Sequence, residues 1–99
     1  MALADHRERD VDDLLGELRG ILLARSDTYD TPFGNLRRMA EEMTPTLGRV
    51  PSRWEVCDLM IGVKRARQRF QPHRDNPLDI AGWALCYLLA EREAARRDE

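Results

Sequence analysis

The sequence predicts an all-α fold, a small four-helix up-and-down bundle. In four segments the apolar residues recur every three or four positions, and polar connections with proline or glycine separate these segments. No segment alternates apolar and polar residues as a half-buried strand does. Because 42% of the 99 residues are hydrophobic and 34% are charged, we expect one soluble domain over residues 1–99, dimeric or larger, with a flexible tail over about 92–99.

The first two helices follow from apolar spacing and from one cap. A single apolar stripe predicts a helix over about 5–25, and the polar segment 26–34 predicts a connection. Asn35 is a good N-cap residue, which predicts a second helix that ends near Met43. Two prolines and a glycine mark 44–51 as the next connection.

The third and fourth helices carry start signals of their own. Ser52 and Glu55 have the spacing of a capping box, which predicts a helix over 52–70. Asn76 and Pro77 have the pattern of an N-cap and a first helical residue. In the helix that follows, apolar residues cover more than one face, so we expect the central helix of the bundle or the interface of a homo-oligomer.

Charge, cysteines and hydropathy exclude several classes of protein. A net charge of -2 argues against nucleic-acid binding, because no field of a single sign covers the chain. Cys57 and Cys86 lie in apolar segments without C-x-x-C spacing, as is typical of core thiols in a reducing compartment. No run of 18 apolar residues is present and the first residues are too charged for a signal peptide, so we expect a cytoplasmic protein without membrane contact.

Polar residues of both signs should converge at one end of the bundle. Short connections make neighbouring helices antiparallel, so the first helix should end where the second begins, the third ends and the fourth begins. Two helix N-termini would add partial positive charge there, which favours this end as a binding site. The residues expected at this end are Arg25, Tyr29, Asn35, Arg37, Lys64, Arg67, His73, Asp75 and Asp79.

Two acidic pairs have the spacing of magnesium ligands on one helix face. Glu55 and Asp58 are three positions apart, and Asp75 and Asp79 are four positions apart. Asp58 lies about 18 Å before the end of the third helix at 1.5 Å per residue, so antiparallel packing within one chain separates the two pairs. Asp75 and Asp79 therefore remain as candidate magnesium ligands, with substrate phosphates completing the coordination shell.

Residues 25–90 resemble a small phage-borne all-α family of unknown function. The shared features are an R-x-x-x-Y-x-x-x-x-x-N opening, a K-x-x-R segment and a D-x-x-x-D-I-A-G-aromatic ending. That family is similar to the nucleotide-modification-associated domains and, more remotely, to the MazG-like NTP pyrophosphohydrolases. In this chain the shared positions are Arg25, Tyr29, Asn35, Lys64, Arg67, Asp75, Asp79 and Trp83.

The resemblance implies a phage-type helical oligomer of nucleotide metabolism. It would bind a nucleoside triphosphate with Mg²⁺, and the MazG side of the resemblance implies pyrophosphohydrolase activity. The chain departs from the MazG pattern because it contains no E-x-x-E pair. The implied phosphate ligands are Lys64, Arg67, Asn35 and Tyr29, and the implied metal ligands are Asp75 and Asp79.

The same residues also have structural interpretations. Asp79 has the position of a carboxylate that caps the fourth helix at Asn76, and a salt bridge between Lys64 and Asp79 explains both charges as well as a phosphate site does. Trp83 and Tyr87 have the spacing of core or dimer contacts. On this alternative the protein is a non-catalytic interaction protein, a homodimer or a binder of a host protein, and its charged cluster fixes the helix register.

Overall fold

The structure, a computed structural model, describes residues 3–98. These residues form four α-helices with short connections between them and contain no β-strand. The side chains of Leu3, Ala4 and Tyr29 lie outside this description. The all-α prediction is confirmed. The helices are α1 (Leu3–Tyr29), α2 (Pro32–Leu47), α3 (Arg53–Phe70) and α4 (Asp75–Arg97).

The centre of the fold is an antiparallel hairpin of α3 and α4. Two ion pairs show the direction: Arg53 Nε lies 2.7 Å from Glu91 Oε1, and Lys64 Nζ lies 2.8 Å from Asp79 Oδ2. The start of α3 therefore lies beside the end of α4, as the short connection requires. The buried residues that the two helices place between them are Val56, Cys57, Ile61, Trp83, Cys86 and Ala90.

Helix α2 packs on this hairpin through Leu36 and Ala40. The Thr31 hydroxyl donates a hydrogen bond to Glu93 Oε2 at 3.3 Å, and the Arg97 guanidinium lies 4.7 Å from the centroid of the Phe33 ring. The start of α2 therefore lies beside the end of α4. The sequence argument placed it beside the start of α4 instead, because it assumed that short connections make all neighbouring helices antiparallel.

The connection between α1 and α2 is shorter than predicted. Helix α1 continues past residue 25 to Tyr29, and only Asp30 and Thr31 separate it from α2. Asp30 has a φ of 82°, so the chain turns sharply in the left-handed region. Its carboxylate lies against the place where a Cβ at Gly34 would be, so a larger residue at that position would require the Asp30 side chain to move.

The bounds of α2 correct two further predictions. Thr31, not Asn35, is the N-cap: its hydroxyl accepts a hydrogen bond from the Gly34 N–H at 3.3 Å, and Pro32 follows at a position that proline favours. At the other end α2 passes Met43 and continues through a proline to Leu47. Gly48, with a φ of 76°, then ends the helix in the left-handed conformation.

The start of α3 is confirmed and the start of α4 is corrected. Ser52 Oγ accepts from the Glu55 N–H at 3.1 Å and Glu55 Oε1 accepts from the Ser52 N–H at 3.0 Å, so the capping box is present. Asn76 is not the N-cap of α4, which begins at Asp75. The buried Asn76 amide instead donates to Gln68 Oε1 at 2.9 Å, because a contact with α3 uses the side chain that a cap would need.

Helix α4 also extends further than predicted, through residue 92 to Arg97. No helix among residues 3–98 combines the length and the apolar character needed to cross a membrane. Cys57 and Cys86 are free and buried, as expected of core thiols. Burial raises the pKa of the Cys57 thiol to about 12 and also raises the pKa of Cys86.

Glu55 should make the stability of α3 depend on pH. Hydrogen bonds from Arg49, and then from the Ser52 N–H, lower the pKa of the Glu55 carboxyl from 4.5 to about 2. Because the folded-state pKa is the lower one, the stabilisation is present above about pH 4.5 and is lost as the pH falls toward 2. We expect Glu55→Gln to lower the melting temperature at pH 7, with a difference from wild type that shrinks below pH 4.5.

Circular dichroism melts at a series of pH values would measure this difference. The control is Glu41→Gln, because Glu41 pairs only with Arg37 across an exposed 3.8 Å contact and should change the melting temperature little. A Glu55→Gln difference that stayed constant down to the acid limit of folding would contradict the assignment.

Candidate functional site

A cleft of about 310 Å³ lies between the end of α1, the start of α2 and the inner faces of α3 and α4. An apolar floor with a few convergent polar groups at the rim is the usual composition of a small-molecule site. We call it the Trp83 cleft. Its floor is formed by Leu22, Leu36, Met60, Trp83 and Cys86, and its rim by Arg25, Ser26, Asp30, Asn35 and Lys64.

Two cations at the rim converge on one carboxylate. Lys64 Nζ lies 2.8 Å from Asp79 Oδ2, and Arg25 Nη2 lies 3.8 Å from Asp79 Oδ1. The side chains of Lys64 and Asp79 are only 15% and 20% exposed, so solvent screens this pair less than a surface pair. These three residues, the Asp79 cluster, contain one more cation than anion, and the surplus positive charge lies at the cleft.

Trp83 orients the arginine of the Asp79 cluster. The Arg25 guanidinium carbon lies 5.3 Å from the centroid of the Trp83 ring, within the range of a cation–π contact. Trp83 is buried, and its Nε1 has no hydrogen-bond partner among the described residues. Buried donors are seldom unpaired in folded proteins. This nitrogen is therefore a hydrogen-bond donor that no described side chain satisfies, on a residue that lines the cleft.

The structure brings Asn35, Lys64 and Asp79 together, three of the residues predicted for the site. Asn35 and Lys64 both line the Trp83 cleft, although they come from α2 and α3. The Asn35 amide nitrogen makes only a weak contact with Met39 Sδ at 3.7 Å, so its polar atoms are largely available. Asp79 joins them through Lys64 and does not cap α4, because the tertiary ion pair engages both of its oxygens.

Three other predicted residues lie elsewhere or outside the description. Arg67 is exposed, and its carbonyl accepts from the Gln71 N–H at the end of α3. Tyr29 ends α1, but its side chain is not among the described ones. The Asp75 side chain is 63% exposed and lies 3.5 Å from His73 Nδ1, so it faces solvent at the start of α4.

The donor set fits an anion better than a resident magnesium ion. Among residues 3–98, no group of three or more histidine, cysteine, aspartate or glutamate side chains is arranged to hold a metal. Asp79 already faces two cations, whose charge would oppose a divalent ion at the same carboxylate. That a ligand binds together with Mg²⁺ coordinated by its phosphates remains a prediction.

Residues 13–90 match a family described as a domain of unknown function, DUF6378. This chain belongs to that family. Neither a curated protein nor a solved structure matches it significantly. The matched region includes every residue that lines the Trp83 cleft, together with Asp79, so the site lies within the DUF6378 domain.

Sequence reasoning missed that Arg25 and Trp83 act together in this DUF6378 site. Arg25 was placed at the correct end of the bundle, but not among the ligands. The available signal was its position: it follows Leu18 by seven and Leu22 by three, so it continues the buried stripe of α1. An arginine on a buried face needs a partner, and here the partners are the Asp79 carboxylate and the Trp83 ring.

Removing the charge of Asp79 should destabilise the DUF6378 domain. Asp79→Asn leaves Lys64 and Arg25 without an anion in a mostly buried position. We expect the free energy of unfolding to fall by about 1–3 kcal/mol, between the values for exposed and buried pairs. Urea unfolding at pH 7 measures the change.

A matched control lies one turn earlier on the same helix. Asp75→Asn makes the same substitution at an exposed carboxylate, so its cost should stay below about 1 kcal/mol. Equal losses at the two positions would show that the contacts of Asp79 with Lys64 and Arg25 do not hold the helices together.

Proposed function

We propose that this chain binds a nucleotide in the Trp83 cleft through its phosphates. One observation supports this above the others: Arg25 and Lys64 share a single carboxylate at the mouth of an apolar cleft lined by Trp83. The Asp30 carboxylate at the same rim pairs with Arg38, with 3.2 Å between Oδ2 and Nη2, so Arg25 and Lys64 have only one counterion between them. A phosphate would balance the surplus positive charge.

The two cations suit different parts of a phosphate group. Arg25 is 3.8 Å from the carboxylate and held against Trp83, so its planar set of donors could turn toward two phosphate oxygens with little rearrangement. Lys64 would act as a point charge beside it. Asn35, across the cleft, supplies both a donor and an acceptor for the polar edge of a base or sugar.

The size and lining of the cleft limit what enters it. A volume of about 310 Å³ is at the lower end for small-molecule sites, so one heterocycle fits inside and the phosphates remain at the mouth. Leu22, Met60 and Trp83 offer apolar contact to such a ring. A nucleoside triphosphate with Mg²⁺, of phage nucleotide metabolism, is the form that the resemblance implies, and pyrophosphohydrolase activity rests on that resemblance alone.

Isothermal titration with the four nucleoside triphosphates, with and without Mg²⁺, tests the proposal. We expect saturable heat from wild-type protein and a roughly 10- to 100-fold weaker affinity for Lys64→Met and Arg25→Met, since each variant removes a charge-assisted hydrogen bond. The control is Arg65→Met, which makes a similar change at the exposed neighbour of Lys64, outside the cleft. Absence of heat from folded wild-type protein with every nucleotide would overturn the proposal.

The magnesium ligands can be tested in the same series. If Asp75 helps to hold Mg²⁺, as the resemblance implies, Asp75→Asn should remove the difference between titrations with and without the ion. If the phosphates alone carry the ion, this difference should remain.

The second candidate is a non-catalytic interaction protein in which the Asp79 cluster is a structural clasp. The supporting observation is that its three residues come from three helices: Arg25 from α1, Lys64 from α3 and Asp79 from α4. The nucleotide titrations separate the two functions. No nucleotide binding by folded wild-type protein, together with a loss of stability in Asp79→Asn, favours the clasp, whereas binding that Lys64→Met and Arg25→Met weaken favours the ligand site.

A further inference from the structure

Among the side chains that the structure describes, the first half of α1 has no buried residue. Every residue from Asp5 to Glu17 is exposed, and the first buried position is Leu18. Val11, Leu14 and Leu15 form an apolar stripe along one side of this segment, and each is about half exposed. The tertiary contacts of this segment are few: Leu14 and Leu15 border a groove against the start of α4, and Glu17 pairs with Arg74. A helix of this length with so little tertiary support is marginal in water, so its apolar side needs a partner.

The shape of the chain shows the same feature. Its radius of gyration is 15.9 Å and its dimensions are 55 × 41 × 21 Å. A compact domain of this length has a radius of gyration of about 13 Å. Helix α1 is about 40 Å long at 1.5 Å per residue, and it packs mainly on α4 through its second half.

A second apolar stripe lies on the outer face of α3. Leu59, Val63, Ala66 and Phe70 are separated by four, three and four positions, so they share one side of the helix, and all four are exposed. Phe70 is 91% exposed, which is unusual for a phenylalanine at the end of a regular helix. Beside Leu59 the stripe continues into an apolar groove of about 490 Å³ against α2.

The two stripes carry opposite charge. Residues 5–17 include six carboxylates and two arginines, whereas residues 64–70 include four basic residues and no acidic one. Arg67 and Arg69 lie to either side of the α3 stripe, about 70° and 90° from its centre, and neither side chain pairs with a carboxylate among the described residues. Asp10 and Asp12 lie in the same way to either side of Val11.

We propose that two copies of this chain form a twofold dimer in which the first half of α1 of each copy packs on the outer face of α3 of the other. Each chain carries both complementary surfaces, so a twofold axis pairs the α1 stripe of each copy with the α3 stripe of the other. This reciprocal packing makes two helix-on-helix contacts. Together they help to bury the roughly 1,200 Å² of surface that a stable interface requires. The apolar stripes form the centre of each contact, and the aspartates of α1 face the arginines of α3.

The mass of the protein in solution tests the dimer. Sedimentation equilibrium over a dilution series should give about twice the chain mass of 11.5 kDa. Leu14→Glu and Val63→Glu each place a charge in an exposed stripe, so we expect folded monomers, with folding checked by circular dichroism. The control is Leu88→Glu on α4, which changes an equally exposed leucine outside both stripes and should leave the dimer intact.

Three results would overturn the proposal. The first is a wild-type protein that is monomeric throughout the series. The second is a dimer that persists in both Leu14→Glu and Val63→Glu. The third is a monomeric Leu88→Glu, which would favour the interface through the fourth helix that the sequence predicts.

A charge exchange tests which helices meet. Arg67→Glu with Arg69→Glu gives one variant in which the residues that flank both stripes are acidic, and Asp10→Arg with Asp12→Arg gives another in which the residues that flank both stripes are basic. Each variant alone should be monomeric at low salt. A mixture of the two should recover the dimer, because both contacts then join opposite charges. A mixture that remains monomeric would overturn the assignment of α1 to α3.

Discussion

The ion pair of Lys64 and Asp79 is the constraint on which the rest of the structure depends. Its 2.8 Å contact lies between α3 and α4, where little water reaches either side chain. A single charge in that position would be costly, so the two helices keep the register that holds both charges together. Arg25 brings the end of α1 to the same carboxylate. One aspartate therefore joins three helices and holds the two cations at the rim of the Trp83 cleft.

A structural clasp and a phosphate site need the same arrangement of charges. Holding Lys64 and Arg25 beside one carboxylate keeps both cations ordered and partly dehydrated before any ligand arrives. Ordered, weakly solvated cations bind an anion with less loss of conformational freedom than mobile surface cations do. The clasp would thus lower the entropic cost of the proposed phosphate binding, and the cation–π contact with Trp83 would extend the same effect to Arg25.

Helix α3 connects the cleft with the proposed dimer contact. Val63 points outward in the exposed stripe, and the next residue, Lys64, points into the cleft about 100° around the helix. A partner helix packed on Val63 and Phe70 would cover the outer face of α3 without entering the cleft. The dimer and the ligand would then share one rigid element, with a separate surface for each.

The number and type of the helices were determined by the sequence itself. Apolar periodicity and the capping box at Ser52 act over one or two turns, so they can be recognised without knowledge of the fold. The same short-range logic assigned the two cysteines to the core. It also assigned Lys64 and Asp79 to one end of the bundle, because short connections leave few ways to arrange neighbouring helices.

Tertiary structure decided which of several equivalent local signals was used. Thr31 and Asn35 are both good caps, and Thr31 is the one whose hydroxyl also contacts Glu93 of α4. Asn76 had the pattern of a cap, but the neighbouring helix uses its amide. The partners of Arg25 likewise depend on residues more than 50 positions away. Such contacts depend on where the helices cross, and no local spacing in the chain records that position.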